Sequence, residues 1–343
     1  VSGGEEGARR GPAIMPSANK DAHKAIEPIL TAISAKVDGE ACTAYIGENG
    51  SGHYVKMVHN GIEYGDMELI AESYQLLKQV GKRTNAQLSA IFDGYNHRAL
   101  ESYLIEITAQ ILRTKDDLGE GDLIDKILDT AGQKGTGLWT SKEALDLGVD
   151  ISVITSAVLA RLISTDRASR MLASKILPAS LIESNVPAHL DELVEKALYA
   201  AKVISYAQGF DLLKKAAQTY KWDLNYESIA KLFRGGCIIR AKFLNEIAHA
   251  FKDPKLTHLL MDPYFSAIMT DSIAALREVV ALSVTRGIPT PSYTAALSYY
   301  DAFRSTELST SMIQAQRDYF GAHTYQRTDR EGSFHFEHWG DHE

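Results

Sequence analysis

Apolar residues recur along most of this chain at the three- and four-residue spacing of amphipathic helices. The periodicity predicts helices over about 52–79, 85–114, 122–131, 141–147, 151–172, 189–219, 226–234, 237–251, 255–285 and 291–306. Alternating strand patterns are nearly absent there, so this part reads as all-α. Residues 1–47 have another texture. Gly3, Gly4, Gly7, Gly11 and Pro12 make a loop, followed by one amphipathic helix (about Asp21–Val37) and a strand-like run, Cys42–Ile46. That order is what the end of an α/β domain would leave. Gly47–Gly52 (GENGSG) reads as a linker and helix entry, with Asn49 or Ser51 as N-cap.

The helical part repeats itself. YQLLK at 74–78 echoes FDLLK at 210–214, and residues 90–112 echo 231–251, at shifts near 140 residues. Units of that size point to a duplicated helical bundle rather than a short-period solenoid, with chance similarity of amphipathic helices as the alternative. The fold class expected is mainly α, with a short α/β segment in front and an extended C-terminal tail.

Composition narrows the function. Hydrophobic residues make up 45% and charged residues 23% of the 343, which suits a folded domain with a sizeable core. The formal charge of -8, with no Lys/Arg block, disfavours nucleic acid as a partner. An anionic substrate would need a few local cations acting against that field. Two distant cysteines, Cys42 and Cys237, form neither a disulfide framework nor a metal site, and the expected location is the reducing cytoplasm. No run reaches the roughly 18 apolar residues of a membrane span. The first Met is Met15, and a start inside a glycine-rich loop reads like the middle of a longer protein.

Candidate chemistry concentrates in HYVKMVHNGIEYGDMELI, residues 53–70. At helical spacing Lys56, His59, Asn60, Glu63 and Tyr64 share one side, and apolar residues cover much of the remainder. Burial beside other cations lowers a lysine pKa and burial raises a glutamate pKa, which makes Lys56 and Glu63 a candidate base and acid. The plain alternative is an exposed i,i+7 pair. Gly61 and Gly65 would let another element approach closely.

Three further features are weaker. ILDTAGQKGTGLWT (127–140) frees backbone N–H groups at Gly132, Gly135 and Gly137 and adds Lys134 and Thr136, a phosphate cradle that is not a Walker loop. In IQAQRDYFGAHTY (313–325), Arg317 and His323 are six apart across Gly321 and suit a phosphate or carboxylate, although a surface Arg and a satisfied His are the plainer reading. Arg161 lies in an apolar helix and needs an anion, usually an intrachain carboxylate. The histidines His335, His338 and His342 are too irregularly spaced to suggest a metal, and none is expected.

Together these segments resemble the 6-phosphogluconate dehydrogenase family over essentially the whole chain. The likeness is densest at SGGEEGARRGP (2–12), at 54–67 (with Tyr54 where the family pattern has Phe), at 128–140 and at 313–325. The resemblance implies oxidation of the 3-hydroxyl of 6-phosphogluconate with hydride transfer to NADP⁺, metal-free loss of CO₂, and protonation of an enediol to ribulose 5-phosphate. It implies that Lys56 is the base and Glu63 the acid. His59 and Asn60 would hold substrate hydroxyls, and Ser2, Gly3 and Gly4 the carboxylate end. Tyr64, Lys134, Thr136 and Arg161 would bind the phosphate end, and Glu5 the nicotinamide. It also implies a homodimer in which Arg317 and His323 complete the partner's site.

The family's G-x-G-x-x-G turn is absent from this sequence. The expected chain therefore lacks the N-terminal Rossmann domain, roughly 100–150 residues. Expected divisions are 1–48 as a remnant of the dinucleotide-binding domain, 49–310 as the helical substrate and dimerisation domain, and 311–343 as the tail. A fragment of the dehydrogenase, inactive in isolation, is one expectation. A truncated helical dimerisation module that binds sugar phosphate is a second. A sister β-hydroxyacid dehydrogenase is a third, disfavoured by the cation set Lys134, Arg161 and Arg317.

Overall fold

A computed structural model describes residues 1–182 and 185–339. Near the N-terminus come α1 (Gly4–Arg10), α2 (Lys20–Ile33) and a small hairpin of β1 (Lys36–Val37) and β2 (Glu40–Ala41). Its turn is made by Asp38 and Gly39 at φ 51° and 80°, left-handed geometry that Asp tolerates and Gly prefers. The expected strand Cys42–Ile46 forms instead as an extended segment with single parallel bridges, Ile14 to Thr43 and Ser17 to Gly47. The short α1 was not anticipated, because a glycine-rich sequence carries little helical periodicity.

The helical part follows with α3 (Ser51–Gln79), α4 (Asn85–Asn96), α5 (Tyr103–Arg113), α6 (Thr136–Leu147), α7 (Ser152–Thr165) and α8 (Arg167–Ile176). After these come α9 (Leu190–Tyr220), α10 (Tyr226–Leu232), α11 (Leu244–Ala250), α12 (Pro263–Thr285), α13 (Pro291–Arg304) and α14 (Thr310–Gly321). The described residues are mainly helical, as expected. They divide into two compact units, Val1–Leu297 and a second one from Ser298 onward.

Several expected helices end early, each for a local reason. The run 85–114 breaks after Asn96, whose side chain accepts the Ser102 N–H at 2.9 Å, and the chain then pairs with a distant segment. Tyr103 N–H donates to the Arg240 carbonyl and Lys242 N–H to the Glu101 carbonyl, at 3.1 and 2.9 Å. The same pairing holds Cys237–Phe243 out of helix, so only Leu244–Ala250 of the expected 237–251 is helical. The run 151–172 restarts at Asp166, which N-caps α8 through the Ser169 N–H. The run 255–285 starts late because Asp262 caps α12 and Pro263 occupies its first turn. In the expected 122–131 helix only Leu123–Lys126 coils, as a 3₁₀ turn. At GENGSG the N-cap is Gly50 with no side-chain cap, not Asn49 or Ser51.

The core of the first unit lies around α9, buried on nearly every side over Ala197–Phe210, as expected of a central helix. Alongside it packs α3, which is also in contact with α6 and α7. Glycines set these distances. A Cβ on Gly209 would meet Ile62 at 2.6 Å, one on Gly65 would meet Ser205 Oγ at 2.5 Å, and one on Gly61 would meet Thr140 at 2.7 Å. Close packing on three sides fixes which stripe of α3 is left for chemistry.

Candidate active site

That stripe carries Lys56, Asn60 and Glu63, each half-buried, with His59 and Tyr64 buried beside them. An ammonium group has three protons to donate. Around Lys56 Nζ stand three acceptors: Ser2 Oγ at 3.2 Å, His59 Nδ1 at 3.2 Å, and Asn60 Oδ1 in a short contact. His59 reaches Ser2 Oγ with its other nitrogen at 3.2 Å. His59 Nδ1 also lies 3.0 Å from Asn60 Oδ1, so the ring is shared between the lysine, the amide and the serine hydroxyl. Burial, and next the Lys56 charge, hold the His59 pKa well below its ordinary value, so the ring is neutral.

The two proposed proton carriers are perturbed in opposite directions. Burial lowers the Lys56 pKa, partly opposed by Glu63 and Cys237. Neighbouring cations, expected to contribute for Lys56, are not among the causes. Burial raises the Glu63 pKa, while Lys56 and Arg161 pull it back. Both shifts favour the neutral forms, an amine that can accept a proton and a carboxyl that can donate one. Glu63 Oε2 lies 3.9 Å from His59 Nδ1.

The loop before α6 joins the same face. Asn60 Nδ2 donates to Thr136 Oγ1 at 3.2 Å. Thr140 donates to the Met57 carbonyl at 3.0 Å, tying α6 to α3. Gly135 is left-handed at φ 99°, and a Cβ on Gly137 would fall 2.5 Å from the Tyr64 ring. Lys134 is exposed in this loop. Arg161 does not pair with a carboxylate among the described residues. Its guanidinium lies over the Tyr64 ring, 3.6 Å from the centroid, with weak contacts to the Gly132 carbonyl and Met67 sulfur, both at 3.5 Å. A cation held by a ring keeps its charge available to a ligand.

Ser2 and Gly3 are buried, Gly4 and Glu5 exposed. Sequence reasoning missed what holds this loop. Ser2 N–H donates to the Ala13 carbonyl and Ala13 N–H to the Gly236 carbonyl, at 2.9 and 2.8 Å. A Cβ on Gly3 would stand 2.5 Å from that same carbonyl oxygen. The Phe233 ring meets His59 edge-on at 5.1 Å. The segment Phe233–Cys237 thus supports both Ser2 and His59, and its Gly235–Gly236 pair was the one sequence signal. Also missed was a buried ion pair beneath Glu63. Lys202 Nζ lies 2.7 Å from Asp66 Oδ2, with side chains 0% and 1% exposed. Tyr206 OH is 3.1 Å from Asp66 Oδ2 and 2.8 Å from the Ile239 carbonyl.

Arg317 and His323 belong to the second unit. Arg317 lies on α14 and donates to Gln314 Oε1 at 3.0 Å, and His323 follows the helix, against Phe320. Among the described residues no group of three or more His, Cys, Asp or Glu is placed to hold a metal. His335 is bonded to Asp318 instead, and His342 lies outside the described residues. No described helix is long and apolar enough to cross a membrane.

The fold and this face define a helical domain that sets a lysine and a glutamate on one helix face near the Arg161 cation. The family model for the 6-phosphogluconate dehydrogenase C-terminal domain matches residues 52–339, and that for the NAD binding domain of 6-phosphogluconate dehydrogenase matches residues 1–47. The NADP(+)-dependent, decarboxylating 6-phosphogluconate dehydrogenase of Bacillus subtilis is 55% identical over 341 residues, 98% of this chain and 72% of that protein. The decarboxylating 6-phosphogluconate dehydrogenase of Escherichia coli is 54% identical over 340 residues, with the same coverage. A solved Plasmodium falciparum 6-phosphogluconate dehydrogenase, described in its apo form and in complexes with NADP⁺ and with 6-phosphogluconate, superposes with a TM-score of 0.95 at 46% identity. That alignment covers 98% of this chain and 73% of that one. The chain belongs to the 6-phosphogluconate dehydrogenase family. One expectation is corrected here. The NAD-binding-domain match over residues 1–47 overturns the reading of a chain that lacks that domain.

Proposed function

We propose that this protein catalyses the oxidative decarboxylation of 6-phosphogluconate to ribulose 5-phosphate and CO₂ with reduction of NADP⁺. The observation that carries this reading is Lys56, a half-buried amine within reach of Ser2, His59 and Asn60 and sharing one helix face with Glu63. The cofactor fits the edge of the site that this chain shapes. A Cβ on Gly4 would find no heavy atom within 4 Å, and Glu5 beside it is exposed, so the first turn of α1 has open space beside it for the cofactor. When bound, NADP⁺ supplies the acceptor for the hydride that leaves C3.

Lys56 takes the proton of the 3-hydroxyl as that carbon–hydrogen bond breaks and the ketone forms. The ammonium of Lys56 then donates to the ketone oxygen while the C1–C2 bond breaks, its electron pair forming the enediol and its carboxyl group leaving as CO₂. Glu63 gives its proton to C2 while Lys56 takes back the C3 hydroxyl proton, the ketone re-forms, and ribulose 5-phosphate results. Neutral His59 and Asn60 orient the substrate hydroxyls, and the loop Ser2–Gly4 holds the carboxylate end. Tyr64, Lys134, Thr136 and Arg161 bind the phosphate. Stacking of Arg161 on Tyr64 supports this assignment, because the guanidinium forms no direct ion pair with a carboxylate among the described residues.

The reading extends to a homodimer. Helices α7 and α8 leave Leu159, Leu162, Ile163, Met171, Leu172 and Ile176 exposed, a surface that a second copy would cover. Arg317 and His323 then serve the partner's phosphate site. Duplication of the bundle fits the element order, a long helix and two short ones in α3–α5 and again in α9–α11. The two copies meet where Ser102 bridges Ala241. Two buried free thiols, Cys42 and Cys237, suit a reducing cytoplasm.

The test is to supply 6-phosphogluconate and NADP⁺ to the protein and follow NADPH, CO₂ and ribulose 5-phosphate. Equal amounts of the three are expected. NADPH without CO₂ would limit the chemistry to oxidation, and no product would overturn the assignment.

A further inference from the structure

In the second unit, one carboxylate gathers donors from four residues that follow α14. Asp318 is fully buried. Its Oδ1 accepts from Thr324 N–H and His335 Nδ1, both at 2.9 Å. Its Oδ2 accepts from Phe336 N–H at 3.0 Å and Trp339 Nε1 at 2.8 Å. Burial alone would raise this carboxyl's pKa, and the four donors reverse that, holding it well below the usual carboxylate range.

The turn gripped by Asp318 is an unusual one. Ala322 and Thr324 both have left-handed backbone, at φ 48° and 61°. For a β-branched residue such as Thr324 this is an outlier, kept only where the surroundings over-determine it. Thr324 is held from both sides. Its N–H goes to Asp318, and its carbonyl accepts from Gln314 Nε2 at 2.5 Å. The same Gln314 accepts from Arg317 at 3.0 Å. Between the two left-handed residues stands His323, folded back so closely that a Cβ on Gly321 would lie 2.8 Å from its Nε2. One carboxylate and one amide therefore set where both His323 and Arg317 point.

We propose that Asp318 is a positioning residue for substrate phosphate, acting through the turn that carries His323 and through its neighbour Arg317. The proposal rests on the reading that Arg317 and His323 bind that phosphate, and the experiment separates the two. Steady-state kinetics would be measured for Asp318→Asn, Arg317→Ala and His323→Ala. Asparagine keeps the shape but turns an N–H₂ group toward two donors. The expected result is a KM for 6-phosphogluconate raised about tenfold or more, with kcat within about twofold and the KM for NADP⁺ unchanged. Adding Thr324→Gly, which adopts a left-handed backbone freely, should recover part of the lost affinity. If Asp318→Asn does not fold, Gln314→Leu releases the other grip on Thr324 and should raise the same KM. Unchanged KM in Arg317→Ala and His323→Ala would overturn the phosphate reading. Raised KM in those two with wild-type KM in Asp318→Asn, or in Gln314→Leu where that variant stands in, would overturn the positioning role.

Discussion

The Arg161 guanidinium lies over the face of Tyr64, 3.6 Å from the ring centroid, in a site where a carboxylate partner was expected. The ring fixes the arginine without neutralising it. Tyr64→Leu should therefore weaken 6-phosphogluconate binding by about 1 kcal/mol, roughly fivefold. Tyr64→Phe keeps the stack and isolates what the hydroxyl adds. Calorimetric titration measures both, and wild-type affinity in Tyr64→Leu would show that the stack does not hold Arg161 for the ligand.

Lys56→Met removes the amine that meets Ser2, His59 and Asn60 while preserving the length of the side chain. Turnover is expected to fall by roughly a thousandfold or more, with dimerisation intact. Product formation at the wild-type rate in a correctly folded variant would take Lys56 out of the mechanism.

Opposite signs are expected in the pH dependence of stability. Because burial raises the Glu63 pKa above 4.5, the folded protein keeps a proton that the unfolded chain has lost. Its contribution is complete below the unfolded pKa and is lost as pH rises through the folded one. Glu63→Gln should thus gain on wild type in thermal melts as pH increases across that window. Arg161→Leu should move the window to higher pH, since Arg161 pulls the Glu63 pKa down. Lys56 behaves the other way. Burial lowers its pKa below 10.5, so the folded state sheds a proton first and stability rises with pH between the folded value and 10.5.

The buried pair Lys202–Asp66 is predicted to be costly to break and cheap to replace. Lys202→Met alone leaves an uncompensated carboxylate and should cost roughly 3–5 kcal/mol in urea denaturation. Combining it with Asp66→Leu should recover most of that loss. A double variant as unstable as the single one would mean that the pair does more than neutralise itself.

Much of this was legible in the residues themselves. The spacing of Lys56, Asn60 and Glu63 needs only helical geometry to place them on one face, and α3 forms almost where its periodicity says. The long α9 was equally plain, since a 31-residue apolar pattern has one regular solution. The helix breaks at Asn96 and Cys237 were not legible. There Tyr103 pairs with Arg240 and Lys242 with Glu101, partners more than a hundred residues away in the chain. Short α1 and α14 were also missed. One is rich in glycine, and the other was read as tail because its ordering depends on Asp318 collecting donors from residues after the helix.

For Lys56 and Glu63, the sequence by itself determined which residues could share a face. Only the tertiary structure decided the direction of their pKa shifts, because those come from burial, and burial is made by the elements that close on α3. The same holds for Arg161: its charge was written in the chain, but whether that charge met a carboxylate or a tyrosine ring depended on packing that local spacing does not contain.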